Sequence, residues 1–120
     1  MANPPKRFIV HAKVAEDLNN LEQKDLIILA LKKIKLIKSG HLQGRPLGAH
    51  HATGDLSDCY KVLFATRTDL PPRFRIVYRQ QNQNLEILFI EVLSIGERYQ
   101  LEAYISAAER LARLPNEGEY

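Results

Sequence analysis

The period of hydrophobic and polar positions changes several times along the chain, and each change predicts a new element. Alternation at 6–12 predicts a strand, while apolar residues three and four positions apart predict helices at 12–21 and 24–40. Gly40, a residue type that commonly ends helices, closes the second of these patterns. Three further strands and a last amphipathic helix are predicted at 58–66, 73–80, 85–95 and 99–114.

This order, β-α-α-β-β-β-α, predicts an α+β fold. We expect a small, mostly antiparallel sheet of about four strands, with the two N-terminal helices packed on one face and a C-terminal helix. The polar segment QNQN at 81–84 is typical of a turn between antiparallel strands. Residues 39–57, rich in glycine, are predicted to form a long loop, and loops of that length in compact domains are often functional.

The two middle strands have one aromatic face and one basic face. Side chains alternate along a strand, so Tyr60, Val62 and Phe64 share a face that suits a core under the N-terminal helices. The opposite faces carry the cations Lys61, Arg73, Arg75 and Arg79. If the strands pair, Lys61 and Arg75 converge, which costs stability unless an anion lies between them. Phosphate is a suitable anion, because arginine binds it through two parallel hydrogen bonds.

Composition and charge narrow this picture. The chain has 120 residues, and we expect one domain, 1–120, with a core at about 6–114. The net charge is only +3, yet 60–80 hold five cations against one carboxylate, whereas 82–120 hold three against seven. A basic middle in a nearly neutral chain favours a local site for a polyanion. A solvated strand face would account for the same charges.

Several classes of protein are disfavoured. The single cysteine, Cys59, cannot form an internal disulfide, and the pair His50 and His51 lacks further ligands at metal-binding spacing, so no metal or other cofactor is expected. The N-terminal residues lack the apolar core of a signal peptide, and the longest apolar run, 26–31, is too short to span a bilayer. We therefore expect a cytoplasmic protein without a membrane partner.

Three segments, DCYKVLF, RFRIVYR and VLSIGERYQLEAY, together resemble the RelE/ParE toxin superfamily of type II toxin–antitoxin systems, and its RelE branch in particular. The motifs cover about 55–111, and the order of elements extends the resemblance over 6–114. The resemblance implies a RelE-like fold and a metal-free endoribonuclease, or mRNA interferase, that cleaves mRNA on the ribosome. It also implies a cognate antitoxin, bound in a toxin–antitoxin hetero-oligomer.

Carried over by position, the resemblance implies the catalytic residues Lys61, Arg75, Arg98 and Tyr104. The basic segment at 60–80 and the glycine-rich loop add Arg67, Arg73, Arg79, His50 and His51 as predicted RNA-binding residues. In metal-free cleavage the RNA's own 2′-hydroxyl attacks, so Lys61 would be the base and Arg75 would clamp the phosphorane. Arg98 would be a second clamp or the group near the leaving oxygen. Tyr104 would stack on a base or relay a proton. The chain departs from the family pattern at Leu63, where a second lysine is expected, and His50 or His51 is the candidate substitute base.

Two alternatives share the same fold. One is a ParE-like DNA gyrase inhibitor, which acts by protein–protein contact without nuclease chemistry. The other is an RNA-binding module whose catalysis is weakened, as Leu63 suggests. Under either toxin interpretation, the basic sheet and the wide apolar stripe of the helix at 24–40 suit an antitoxin segment that carries carboxylates and leucines.

Overall fold

The structure is a computed structural model, and it describes residues 4–50, 54–67, 69, 71–97 and 102–111. The elements in chain order are β1 (Arg7–Val10), α1 (Val14–Asn20), α2 (Lys24–Lys38), β2 (Arg45–His50), β3 (Gly54–Phe64), β4 (Phe74–Gln83), β5 (Glu86–Glu97) and α3 (Glu102–Arg110). None of the helices in these ranges combines the length and the apolar composition that crossing a membrane requires.

The strands form one sheet in the order β1-β5-β4-β3-β2. The strand β1 runs parallel to β5, and the other neighbouring strands are antiparallel. The predicted α+β fold and mostly antiparallel sheet are confirmed, with five strands in place of about four.

The additional strand is β2, which lies inside the segment 39–57 that was predicted to be a loop. Pro46 and Gly48 conceal it in the sequence, because both residue types are uncommon inside strands. The strand β2 lies at the edge of the sheet, where proline is tolerated because an edge strand pairs on one side only. The pairing of β2 with β3 shifts register between Pro46 and Gly48, and Gly48 adopts a positive φ of 74°. The prediction of a long loop at 39–57 was therefore wrong, because part of this segment forms one strand of a hairpin.

The helices α1 and α2 cover the aromatic face of the sheet, as the alternation predicted. The buried helix residues Val14, Leu21, Leu26, Ala30 and Ile37 face Val62, Phe64, Phe74, Ile76 and Tyr78. Paired positions bring aromatic rings together across strands: Phe64 lies 5.7 Å from Phe74, and Tyr60 lies 5.6 Å from Tyr78, between ring centroids. Such cross-strand aromatic pairs stabilise a sheet beyond the area that they bury.

The end of α2 lies where the glycine predicted it. Gly40 has a φ of 80°, and the N–H of His41 donates to the carbonyl of Leu36 at 2.9 Å. The N–H of Gly40 donates to the carbonyl of Ile37 at 3.2 Å. These two bonds satisfy carbonyls that the last turn would otherwise leave without a partner.

The opposite face carries a second, smaller core under α3. Small side chains let the helix lie close to the sheet, and an added Cβ on Gly96 would come within 3.3 Å of Ala103. The buried residues of this core are Leu56, Cys59, Val77, Leu93, Ala103, Tyr104, Ala107 and Ala108. The basic face is thus not an open platform, because α3 covers its apolar positions and leaves the cations around the helix.

Candidate functional site

The pairing register brings Lys61 and Arg75 together on the face that α3 covers. Lys61 lies opposite Val77, and Leu63 lies opposite Arg75, so the two cations occupy diagonal positions on β3 and β4. Long side chains at diagonal positions reach one another. Both residues are half-buried. The structure thus supports the convergence that the alternation predicted for this pair.

A third cation, Arg45, joins them from β2. Arg45 lies directly opposite Lys61, so both side chains project from the same face, and Arg45 is exposed. The preceding residue explains this placement: the N–H of Gly44 donates to the hydroxyl of Tyr78 at 2.8 Å. An added Cβ on Gly44 would lie 2.6 Å from the carbonyl oxygen of Lys61, so only glycine allows the chain to approach here. Sequence reasoning missed Arg45 because its segment was predicted to be a loop.

Tyr104 lies against Arg75. The guanidinium carbon of Arg75 is 4.9 Å from the centroid of the Tyr104 ring, which is a cation–π contact. Tyr104 belongs to the first turn of the described part of α3 and is only 3% exposed. In this conformation the ring orients Arg75, and α3 would have to shift before the ring could stack on a nucleobase.

The remaining strand cations are paired with carboxylates of β5. Arg73 lies 3.0 Å from Glu97, and Arg79 lies 2.9 Å from Glu91, each between a guanidinium nitrogen and a carboxylate oxygen. The sheet therefore brings the acidic residues of the last third of the chain back onto the basic middle. These pairs reduce the charge that Arg73 and Arg79 offer to an external anion.

Arg67 lies in the loop before β4 and pairs with Asp69 through both oxygens of the carboxylate. This contact lowers the pKa of the exposed Asp69 carboxyl. Of the predicted RNA-binding arginines, Arg67, Arg73 and Arg79 therefore all have acidic neighbours. The candidate site is therefore centred on the other three cations of this face, Arg45, Lys61 and Arg75.

Two predicted site residues, Arg98 and His51, lie outside the described residues. The backbone of His50 ends β2 opposite Gly54, five positions along the strand from Arg45. At about 3.3 Å per residue this separates the backbones of His50 and Arg45 by roughly 15 Å. The structure does not bring the His50 backbone to Lys61 and Arg75.

Leu63 is the direct neighbour of Arg75 across β3 and β4. The position at which the RelE resemblance expects a second lysine thus lies on the site face, and it carries an apolar, half-buried side chain. At this position the chain lacks the cation that the pattern expects.

Comparison with known proteins gives one informative result. No model of a known protein family and no curated protein matches the chain. Among solved structures, the free state of a mutant of the Escherichia coli toxin RelE matches with a TM-score of 0.60 and 19% sequence identity. The match covers 92% of this chain and 99% of that chain. This protein therefore has a RelE-like fold, as the resemblance of its sequence motifs implied.

Proposed function

We propose that this protein is the toxin of a type II toxin–antitoxin system and an endoribonuclease that cleaves mRNA. One observation carries the proposal: three neighbouring strands of a RelE-like fold place Arg45, Lys61 and Arg75 together on one face. Arginine and lysine side chains gathered on one face offer several donors to an anion such as a phosphate. In a toxin similar to RelE, the anion bound at this face would be a phosphodiester of the RNA.

The chemistry requires no metal ion. The 2′-hydroxyl loses its proton and attacks the adjacent phosphorus, and the bond from phosphorus to the 5′-oxygen breaks, so the products are a 2′,3′-cyclic phosphate and a 5′-hydroxyl. Arg75 would clamp the phosphorane, since a guanidinium stays protonated and presents several donors in one plane. The contact with Tyr104 supports this role, because it restricts the plane of the guanidinium.

Lys61 is our candidate for the base. Lys61 lies directly opposite Arg45 and diagonal to Arg75, so its amine would lie beside a phosphate that the two arginines hold. The neutral amine would accept the proton of the 2′-hydroxyl. The leaving 5′-oxygen takes a proton from water, and Arg98 is the candidate for stabilising the negative charge that develops there. Tyr104 would contribute through Arg75.

The proposed partners are a cognate antitoxin, mRNA and the ribosome, and the proposed location is the cytoplasm. The surface of α2 supports an antitoxin of acidic, amphipathic character. Ile28, Leu31 and Leu36 are exposed there, and lysines dominate the charge of the helix. Carboxylates and leucines on a partner helix would complement this surface.

The test is an mRNA cleavage assay with ribosomes, run beside a gyrase supercoiling assay. We expect cleavage by the natural protein, with loss of at least about a hundredfold for Arg75→Ala, which is the size of effect known for electrostatic groups in active sites. The matched control is Lys24→Ala, which removes a cation from the N-terminus of α2. Inhibition of supercoiling without cleavage would establish the gyrase alternative.

A second candidate is an RNA-binding module with weakened catalysis. The observation in its favour is Leu63, which lies opposite Arg75 where a lysine is expected. Under this alternative RNA binds and is not cut, and Leu63→Lys restores cleavage. Under our proposal the natural protein already cleaves.

A further inference from the structure

A largely buried ion pair joins the first helix to the last. The two terminal nitrogens of Arg110, on α3, donate to the two carboxylate oxygens of Asp17, on α1. Both side chains are about nine-tenths buried, at 10% relative exposure. The pair raises the pKa of the Arg110 guanidinium, chiefly through these hydrogen bonds. A bidentate arginine–carboxylate pair fixes direction as well as distance.

The same two side chains also complete the edge of β5. The strand β1 pairs with β5 only as far as Val92, so the following residues of β5 have no β1 partner. The N–H of Ile95 donates to Asp17 at 2.9 Å, and Arg110 donates to the carbonyl of Leu93 at 2.6 Å. The pair therefore occupies ladder positions that β1 leaves empty, and it reaches around the edge from one face of the sheet to the other.

This arrangement attaches α3 at two points. Near its N-terminus, the hydroxyl of Ser94 donates to the carbonyl of Ala103 at 2.6 Å. Near its C-terminus, Arg110 is held by Asp17. Tyr104, which contacts Arg75, lies between the two points on a helix of nine residues. Because a short helix moves as a unit, its attachment at Arg110 also determines where Tyr104 lies.

We propose that Asp17 and Arg110 are positioning residues, which clamp α3 to the edge of β5 and thereby keep Tyr104 against Arg75. The part of this proposal that concerns cleavage rests on the proposed function, and the part that concerns α3 does not. Neither residue touches the RNA, and their effect on the reaction passes through the orientation of the Arg75 guanidinium.

The test compares the natural protein with the double variant Asp17→Asn and Arg110→Gln. This variant removes both charges and leaves no buried charge without its partner, which single removal would do. Arg110→Lys is the second variant, because it keeps the charge and loses the bidentate geometry. The control is Glu86→Gln, which breaks the exposed pair with Lys6 at the other end of β5. Amide hydrogen exchange and RNA cleavage are measured on all of them.

We expect amides of α3 to exchange at least about tenfold faster in the double variant, while those of β3 and β4 keep their rates. The cleavage rate falls about tenfold, with a smaller change in KM, because Arg45 and Lys61 still hold the RNA. In a Tyr104→Leu background, which keeps an apolar side chain without the ring face, removing the clamp causes no further loss. Glu86→Gln behaves like the natural protein.

Unchanged exchange in α3 would overturn the clamp. A loss of cleavage that persists in full in the Tyr104→Leu background would overturn the positioning role. If the double variant exchanges rapidly everywhere, Arg110→Lys decides the same two questions. If the natural protein does not cleave RNA, the proposed function fails, and the exchange of α3 alone then decides whether the clamp exists.

Discussion

Leu85 adopts a backbone conformation that its side chain disfavours. It forms the turn between β4 and β5 with Asn84, and φ is positive at both residues, 51° at Asn84 and 68° at Leu85. This combination belongs to the turn type that prefers Asn-Gly. The side chain of Leu85 is 97% exposed and gains almost no burial in return.

Leu85→Gly is therefore expected to stabilise the protein. The left-handed backbone costs a residue with a Cβ about 1–2 kcal/mol, and the greater freedom of glycine in the unfolded chain offsets part of this, so we expect a net gain of about 1 kcal/mol. Urea unfolding measures the change. Leu85→Ala is the control, and it should gain little because it retains the Cβ. Equal gains for both variants would mean that loss of the exposed apolar side chain, not backbone strain, is responsible.

Tyr78 predicts a dependence on alkaline pH. Burial raises the pKa of its phenol, while the hydrogen bond from Gly44 opposes the shift. The folded state thus prefers the neutral phenol, and this contribution is complete below the unfolded pKa of about 10 and is lost as the pH rises through the higher folded value.

We expect Tyr78→Phe to lose less of its stability than the natural protein as the pH rises from about 9 to about 11. The measurement is the free energy of unfolding at each pH for both proteins, because the other titrating groups are common to them. If the free energy of unfolding falls equally with pH in both proteins, the phenol of Tyr78 has the same pKa in the folded and unfolded states. Below pH 9 the variant should be less stable, since the N–H of Gly44 loses its acceptor.

At the scale of elements, the hairpin of β2 and β3 contributes Arg45 and Lys61 to the proposed site. Gly44 determines how closely the start of β2 approaches β3. We expect Gly44→Ala to cost about 1–3 kcal/mol, because its Cβ would overlap the backbone carbonyl of Lys61. Urea unfolding measures the cost. Gly48→Ala is the comparison, since nothing lies near its Cβ and only its positive φ is strained.

Gly44→Ala should also reduce RNA cleavage, because β2 has to move away from Lys61 and takes Arg45 with it. Gly48→Ala should cleave at nearly the natural rate. If Gly44→Ala lowers stability and leaves cleavage unchanged, the position of β2 is irrelevant to the reaction, and Arg45 should be removed from the proposed site.

Elements that depend on local pattern could be predicted from the sequence. The aromatic faces of β3 and β4 follow from alternation, and the end of α2 follows from Gly40. The edge strand β2 could not be predicted, because Pro46 is a residue type that disfavours strands and is tolerated here only at the edge of the sheet. The pair of Asp17 and Arg110 could not either, since it joins residues that are distant in sequence and depends on where β1 stops.

At the scale of the whole molecule, the distribution of charge over the folded surface differs from the distribution of charge along the sequence. Five cations at 60–80 and an acidic last third suggest a strongly polar molecule. The sheet instead places Glu91 beside Arg79 and Glu97 beside Arg73, so most of the excess is cancelled locally. The proposed site is then centred on Arg45, Lys61 and Arg75, which three neighbouring strands bring to one face. These ion pairs depend on the pairing register between β4 and β5, which could not be predicted from the sequence.

The proposed site of three cations predicts how RNA binding responds to salt. Three cations that each neutralise one phosphate should give a slope of about −2 for the logarithm of the binding constant against that of the salt concentration, at about −0.7 per contact on single strands. The measurement uses a short RNA with 2′-O-methyl groups, which cannot be cleaved by 2′-hydroxyl attack. Arg45→Ala should make the slope shallower by about 0.7, since it removes one contact.

The matched variant is Arg79→Ala, which removes the same side chain from a position already compensated by Glu91. It should leave the slope unchanged, because an arginine that keeps its carboxylate releases no counterion from the RNA. A slope of about −3.5, reduced equally by Arg45→Ala and Arg79→Ala, would mean that RNA displaces the carboxylates and contacts Arg73 and Arg79 as well. The site would then be the whole basic strand face, as its sequence alone suggests, and the pairing on β5 would have no bearing on RNA binding.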